Sequence, residues 1–407
     1  MAKKRQGNKD DSKPQKKKKT DCFENDQNFA IEEIFARFPN LSQGIFDRLD
    51  DRSLVSCREV SKTWRGYVDS QRIYWIRKIL KYNNPQSKFH SEWKIVLDKT
   101  PIESLKKFAR YVLLSSKESS PIYVAGVIGD VALFNSVKEK TGLSEKSKGN
   151  DGMTPFHIAA YNNHLNLCKV IIEQLQDKNP GNIYGVTPLH YAAMRGHLRI
   201  CTLIMKSVQD KNPGNKGGGT PLHFAAQFGH YYICYLMMDK LDDKNPRDCN
   251  GCTPLHEAAS SGHVHICRLI YEMIASTGWS LHSLGPLKRV YGRNPGNNKG
   301  VTPLHFAARH GHVEVCKFLC LNLKDKNPKG EKGITPLHVA AKHGQLDVCK
   351  WLCSNLADKN PKDDNDKTPI DHAYSTRQLN IVRFLIDENN FTWKTSIFKQ
   401  NITYTLQ

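Results

Sequence analysis

Histidine and cysteine are the side chains of this sequence that could bind a metal or act as acid, base or nucleophile. The chain of 407 residues has 17 histidines and 12 cysteines, and most of them recur at fixed intervals. The recurring histidines are His157, His190, His223, His256, His305 and His338, with His164, His197, His230, His263 and His312 in a second series. The recurring cysteines are Cys168, Cys201, Cys234, Cys267, Cys316 and Cys349. Such recurrence is typical of a repeated structural unit, so we interpret both sets as structural.

A catalytic or metal-binding role finds little support elsewhere in the chain. Cys249 and Cys252 form a CxxC pair, but zinc would need a second ligand pair at suitable spacing, so we predict a plain loop there. Phosphate-loop and G-x-S-x-G motifs are absent from the sequence. We therefore expect no enzyme, no cofactor and no metal.

The repeated unit begins with Thr-Pro followed by an apolar and then a polar residue. It starts at Thr154, Thr187, Thr220, Thr253, Thr302, Thr335 and Thr368. Successive starts lie 33 residues apart, with one interval of 49. In the copy at 302–334, Thr302 can cap a helix that Pro303 begins, Gly311 ends that helix, and Asn327-Pro328 stops a second one. Val315, Phe318 and Leu319 fall on one face of that second helix, which predicts that they are buried. Each unit is therefore predicted to form a helix, a turn, a second helix and a loop.

The segments TPLHFAARHGH and TPLHVAAKHGQ resemble ankyrin repeats, whose period is 33 residues. The resemblance implies an all-α solenoid. A weaker copy from Ser120 lacks the histidine, and the last copy has Arg377 in the glycine position, as expected of end repeats. We expect eight repeats over 120–390, an insertion within the repeat at 253–301, and a C-terminal tail over 391–407.

Residues 29–80 have a different pattern, with short helical stretches that suggest a three-helix module too small to bury much core. This segment resembles an F-box, which docks a substrate receptor onto the Skp-type adaptor of a cullin-RING ubiquitin ligase. The matching positions are Phe38-Pro39, Ile45-Phe46, Leu49, Leu54, Arg58, Val60 to Lys62, Trp64, Arg65 and Trp75. The resemblance implies adaptor docking by apolar burial through Phe38, Pro39, Ile45, Leu49, Leu54, Val60 and Trp64. These residues could form the bundle core or the contact surface, and a bundle without adaptor binding is the alternative.

Residues 81–119 join the two modules. Their apolar residues follow a helical pattern that is interrupted at Thr100-Pro101, which predicts one helix ending and another beginning there. We expect a helical connector rather than a loose linker.

The first 28 residues form a basic tail that we expect to be disordered. Nine Lys or Arg and two Asp occur in the first twenty positions, and the whole chain carries +20. Two basic clusters have the layout of a bipartite nuclear import signal that importin would bind. They contain Lys4 and Arg5, then Lys16, Lys17, Lys18 and Lys19. Nonspecific nucleic-acid contact and a solubilising tail are the alternatives, and a nucleic-acid partner is the less favoured of these interpretations.

Neither a membrane-spanning stretch nor a signal-peptide core occurs in the sequence. Unpaired thiols in every repeat suit a reducing compartment. We expect an intracellular protein of the nucleus or cytoplasm, with no membrane partner.

Ankyrin stacks bind targets through the loop tips and the first helices of each repeat, and the resemblance implies the same here. The expected target-binding residues are Tyr161, Met194, Arg195, Gln227, Phe228, Arg309, His310, Lys342 and His343, with Trp279 of the insertion. Apolar groups dominate the early repeats and cations the later ones, so a partner with a hydrophobic segment followed by an acidic one would suit them. The alternative is that these variable surface positions are simply unconstrained. Trp279 could instead pack on the stack.

Two hypotheses follow for the function. The first is the substrate-recognition subunit of a cullin-RING ligase, with the F-box-like module holding the adaptor and the repeats holding an unknown target protein. The second is an ankyrin scaffold or nuclear regulator that acts by protein binding alone.

Overall fold

The computed structural model describes residues 100–107, 121–141, 151–276, 295–323 and 325–388, and the single positions 53, 56, 66, 68, 75, 76, 79 and 97. The chain divides into two units, Met1–Val124 with Asn135–Gly142, and Ala125–Phe134 with Leu143–Gln407. The F-box-like residues expected to dock the adaptor, the basic tail and the insertion around Trp279 lie outside the described residues.

Every regular element in the described residues is helical, which confirms the all-α prediction. Eight helix pairs are present in these ranges: α1 (Pro121–Ile128) and α2 (Val131–Thr141), α3 (Pro155–Tyr161) and α4 (Leu165–Gln174), α5 (Pro188–Arg195) and α6 (Leu198–Ser207), α7 (Pro221–Gln227) and α8 (Tyr231–Lys240), α9 (Pro254–Ser260) and α10 (Val264–Ser276), α11 (Pro303–His310) and α12 (Val313–Asn322), α13 (Pro336–Lys342) and α14 (Leu346–Asn355), α15 (Pro369–Ser375) and α16 (Leu379–Glu388). A short 3-10 turn, Glu331–Gly333, precedes α13. We call the first helix of each pair inner and the second outer.

The turn between the two helices of a pair needs a left-handed residue. Gly311 has φ 80°, a conformation that glycine adopts without strain. Asn163 and Arg377 occupy the same position with φ 65° and 60°. The predicted glycine position is thus confirmed even where another residue fills it.

Small side chains let the inner helices of successive repeats pack closely. Leu304, Ala307 and Ala308 are completely buried, and α11 contacts both α9 and α13. On the outer helix, Val315, Cys316 and Leu319 are buried as predicted. Phe318 is only half-buried; its ring lies under the Arg268 guanidinium at 5.2 Å and edge-on to Tyr271.

The recurring Asp-Lys-Asn-Pro sequence closes the loop between repeats. The amide of Asn327 donates to Asp325 Oδ1 at 2.9 Å, and Asn327 Oδ1 accepts from the Leu337 amide at 3.3 Å. Lys244 Nζ donates to the carbonyl of Leu241 just past the end of an outer helix. The motif therefore does more than stop the outer helix: its asparagine also caps the next inner helix, a role that its recurrence in register could have revealed.

The leading unit is described at fewer positions. Val68, Trp75 and Ile79 are helical and buried, at the i, i+7 and i+11 spacing of one helix face. Leu97 is helical, Thr100 lies in a bend, and residues 102–107 are helical again. The predicted helix break at Thr100-Pro101 is therefore confirmed.

Candidate target-binding surface

The first histidine series joins each inner helix to the next repeat. In the pair α11 and α12, His305 Nδ1 accepts from the Thr302 amide at 3.1 Å and lies 2.9 Å from the Thr302 hydroxyl. Its Nε2 lies 3.0 Å from the carbonyl of Ile334 in the next loop. Because a carbonyl can only accept, Nε2 carries the proton and the ring is neutral. The same pairs of bonds occur at His157, His190, His223, His256 and His338.

Burial keeps these imidazoles neutral. Loss of solvent contact lowers the pKa of His190, His256 and His305 to about 4. Both ring nitrogens are engaged, so none of these side chains has a lone pair left for a metal or a substrate proton. The structural interpretation of the series is confirmed.

The histidines of the second series form hydrogen bonds to the preceding repeat. His197 Nε2 bonds to the carbonyl of Tyr161 at 2.9 Å, and His263 Nε2 to that of Gln227 at 3.1 Å. In one repeat Gln345 replaces the histidine and its Nε2 donates to the carbonyl of Arg309 at 3.0 Å. The carbonyls thus fixed belong to residues predicted to bind the target. Their backbone is held while their side chains stay at the surface.

The recurring cysteines are small core residues. All six are completely buried and unpaired, and burial raises the pKa of Cys168, Cys234 and Cys267 to about 12. Within the CxxC pair, Cys249 is exposed, whereas Cys252 is buried and its Sγ accepts from Asn297 Nδ2 at 3.6 Å. The described part of the chain contains no group of three or more His, Cys, Asp or Glu arranged to hold a metal ion.

The early inner surface is aromatic. Tyr161 stands edge-on to Tyr191 with ring centroids 5.9 Å apart, and the Arg195 guanidinium lies 4.8 Å above the Tyr161 ring. Phe228 is 49% exposed at the end of α7. Apolar side chains are exposed in these repeats, and the Arg195 guanidinium lies on an aromatic face.

The inner helix in the middle of the surface carries a carboxylate. Glu257 occupies the inner-helix position that holds Tyr191, Phe224, Phe306 or Val339 in other repeats. Burial and the nearby Asp248 raise the pKa of Glu257. In chain order Glu257 lies between the aromatic early part of the surface and the basic late part.

The late inner surface contains a groove of about 280 Å³ between α11, α13 and the loop that precedes α13. Its apolar lining comes from Val301, Phe306, Ile334 and Val339. The charged side chains along it are Arg309, Glu331, Lys332 and Lys342, and the histidines along it are His305, His338, His343 and His372. Arg309, Lys342 and His343 were predicted for target binding, and the groove brings them together.

The remaining predicted positions are distributed along the same surface. Met194 is half-buried, and Gln227 and His310 are exposed, with the His310 ring stacked on His312 at 6.2 Å. Trp279, the F-box-like residues expected to dock the adaptor and the predicted import signal lie outside the described residues, so their roles stay predictions. Among the described helices, none has the length and apolar character needed to cross a membrane.

Comparison with known proteins agrees with this architecture. A family model described as ankyrin repeats matches in overlapping segments, 129–215, 203–278, 222–329, 273–363 and 321–395. A second family model, the F-box domain, matches residues 35–76. No curated protein matches the chain.

Proposed function

Because this chain belongs to the ankyrin-repeat family and also carries an F-box domain, we propose that it is the substrate-recognition subunit of an SCF-type cullin-RING ubiquitin ligase. In this function the F-box docks a Skp-type adaptor and the inner surface of the repeats binds the protein to be ubiquitinated. Transfer of ubiquitin is carried out by partner subunits.

The combination of two different protein-binding modules in one chain carries this proposal. The F-box match covers 35–76 and the ankyrin matches begin at residue 129, so each module has its own segment. An F-box joined to a binding surface is the arrangement expected of a protein that brings a target to shared machinery.

The structure of the repeats supports the target-binding half of the proposal. Hydrogen bonds between neighbouring repeats fix the carbonyls of Tyr161, Gln227 and Arg309, and the side chains of these residues are exposed. A surface held in place before binding loses less conformational entropy when a partner docks.

Direct binding to a purified Skp-type adaptor tests the proposal. Calorimetric titration of the full chain should give a dissociation constant in the micromolar range or tighter. Leu49→Ala combined with Trp64→Ala should weaken binding at least a hundredfold, because both are apolar positions of the F-box match.

A matched control keeps the F-box intact and changes the repeats. Arg309→Gln combined with Lys342→Gln should bind the adaptor as the unmodified chain does. Circular dichroism should show the same helix content for both double variants. If the unmodified chain does not bind the adaptor at micromolar concentration, the protein is an ankyrin scaffold or regulator without a ligase role.

A further inference from the structure

The groove in the late repeats has apolar side chains at its base and positively charged side chains along its edge. We call this edge, formed by Arg309, Lys332 and Lys342, the margin. Phe306 and Val339 occupy equivalent positions on α11 and α13, and the loop side is completed by Ile334. Arg309 and Lys342 stand one turn further along the same two helices and are exposed. An apolar group and two positive charges are thus available to one ligand.

The cations of this margin have no anionic partner within the described residues. Arg309, Lys332 and Lys342 make no ion pair there, whereas Glu331 is paired with Lys299 at 3.3 Å. Proximity to Arg309 and Lys342, added to burial, lowers the pKa of His343. The margin therefore carries a positive charge that the protein itself does not neutralise.

Neighbouring repeats hold both cationic residues by their backbone. Gln345 Nε2 donates to the carbonyl of Arg309 at 3.0 Å, and the Thr376 hydroxyl donates to the carbonyl of Lys342 at 2.8 Å. The two positions cannot shift without breaking bonds between repeats. This geometry favours a ligand whose charges are spaced to match.

The volume of the groove limits what can enter it. Small-molecule sites usually enclose about 300–1,000 Å³, and this groove measures about 280 Å³. It therefore suits one or two side chains of a peptide better than a cofactor.

We propose that this groove binds an acidic segment of a partner protein. An aliphatic or aromatic side chain of that segment enters between Phe306 and Val339, and Asp or Glu carboxylates on either side of it pair with Arg309 and Lys342. If the proposed function holds, this segment is the feature by which the ligase recognises its target.

Fluorescence anisotropy of the full chain with labelled peptides tests the inference. The probe is a short peptide with a central leucine and two glutamates on each side. Replacing its glutamates by glutamine should weaken binding at least tenfold, and replacing its leucine by alanine at least fivefold. Binding of the glutamate peptide should also weaken as salt is raised, because it depends on charge.

Variants of the groove distinguish it from other basic parts of the chain, including residues 1–20. Arg309→Gln with Lys342→Gln should weaken binding at least tenfold. Lys317→Gln with Lys350→Gln removes the same charge from the outer helices of the same repeats, none of whose residues lines the groove, and should leave binding unchanged. Val339→Glu should abolish binding while the fold persists, since this chain already carries Glu257 at the equivalent position.

Each outcome decides the inference. Equal binding of the glutamate and glutamine peptides, equal loss in both double variants, or binding of a phosphoserine version alone would overturn it. Adaptor binding without peptide binding would overturn this inference and leave the proposed function standing. Peptide binding without adaptor binding would leave the groove assignment standing and remove the ligase role.

Discussion

The early and late parts of the inner surface have the same internal framework and expose opposite kinds of side chain. In both parts a histidine joins the inner helix to the next loop, as His190 does to Gly219 and His305 to Ile334. The early part presents the aromatic rings of Tyr161 and Phe228. The late part presents Arg309 and Lys342 around an apolar groove.

This difference shows that one set of positions determines folding and another determines recognition. Positions that touch the next repeat hardly vary, because a change there would leave buried polar groups unpaired. The residue types at the ends of the inner helices vary from repeat to repeat. Only the carbonyls of these residues accept hydrogen bonds from the next repeat, so their side chains are not restricted. Stability and binding should therefore respond to different substitutions, and the following predictions test that separation.

The largest expected effect is a loss of stability in mild acid at both ends of the surface. His190, His256 and His305 have folded pKa values of about 4, below the roughly 6.5 of an unfolded histidine. Their contribution to the free energy of unfolding is therefore complete above pH 6.5 and is lost as the pH falls towards 4. Because each group titrates only partly at the two limits, the free energy of unfolding should fall by about 6 kcal/mol between pH 6.5 and 4.5.

Urea unfolding across this pH range measures the fall, and hydrogen exchange locates it. Asp363 does not contribute in this window: although burial opposes its ionised form, hydrogen bonds from His372 and from the Lys367 and Asn365 amides lower its pKa to about 2. The raised pKa of Glu257 has the opposite effect on the free energy of unfolding as the pH falls. This effect comes from one group, whereas the loss comes from three histidines. A stability that stays flat from pH 7 to pH 5 would contradict the neutral histidine framework.

Single substitutions of the first-series histidines should have the next largest effect on the free energy of unfolding. The effect should be of equal size in the early and late parts of the inner surface. His190→Ala and His305→Ala each leave a threonine amide and a loop carbonyl buried without a partner. Each should lower the free energy of unfolding by about 3 kcal/mol, measured by urea unfolding at pH 7.5. The surface controls Gln227→Ala and Arg309→Ala should change it by less than about 0.5 kcal/mol. A surface variant as damaging as a histidine variant would contradict the separation of the two roles.

The smallest effect should distinguish the two ends of the repeat array. Arg377 has φ 60° where most repeats have glycine, whereas Asn163 has φ 65° in the second pair. Arg377→Gly should raise the free energy of unfolding by about 0.5–1 kcal/mol, because arginine is strained in the left-handed region. Asn163→Gly should change it less, since asparagine tolerates that region. Thermal melting of the two variants is the measurement, and a larger gain at Asn163 would show that this strain does not govern the turn.

The fold was predictable because its information is local and repeated. The Thr-Pro start, the glycine turn and the Asn-Pro stop each have a direct backbone cause, and the structure has helices and turns where they predict them. Phe318 departs from the predicted core because its partners, Arg268 and Tyr271, come from the preceding repeat. A pattern read within one repeat does not contain contacts between repeats.

The residues of the candidate site could be predicted from the sequence, but the groove that they form could not. Arg309, Lys342 and His343 could be found by their register, but the groove that joins them requires the loop before α13 to approach two inner helices. The raised pKa of Glu257 also depends on where Asp248 lies. Such features arise from distances between repeats, which the spacing of motifs along the chain does not specify.

The hydrogen bonds between repeats have a consequence for how the chain folds. His305 reaches a carbonyl 29 residues ahead, and His197 one 36 residues behind. Ordering these bonds closes only short loops, and proteins whose contacts are close in sequence fold quickly. Each repeat can therefore add to the one before it as the polypeptide leaves the ribosome, without waiting for the C-terminus to be synthesised.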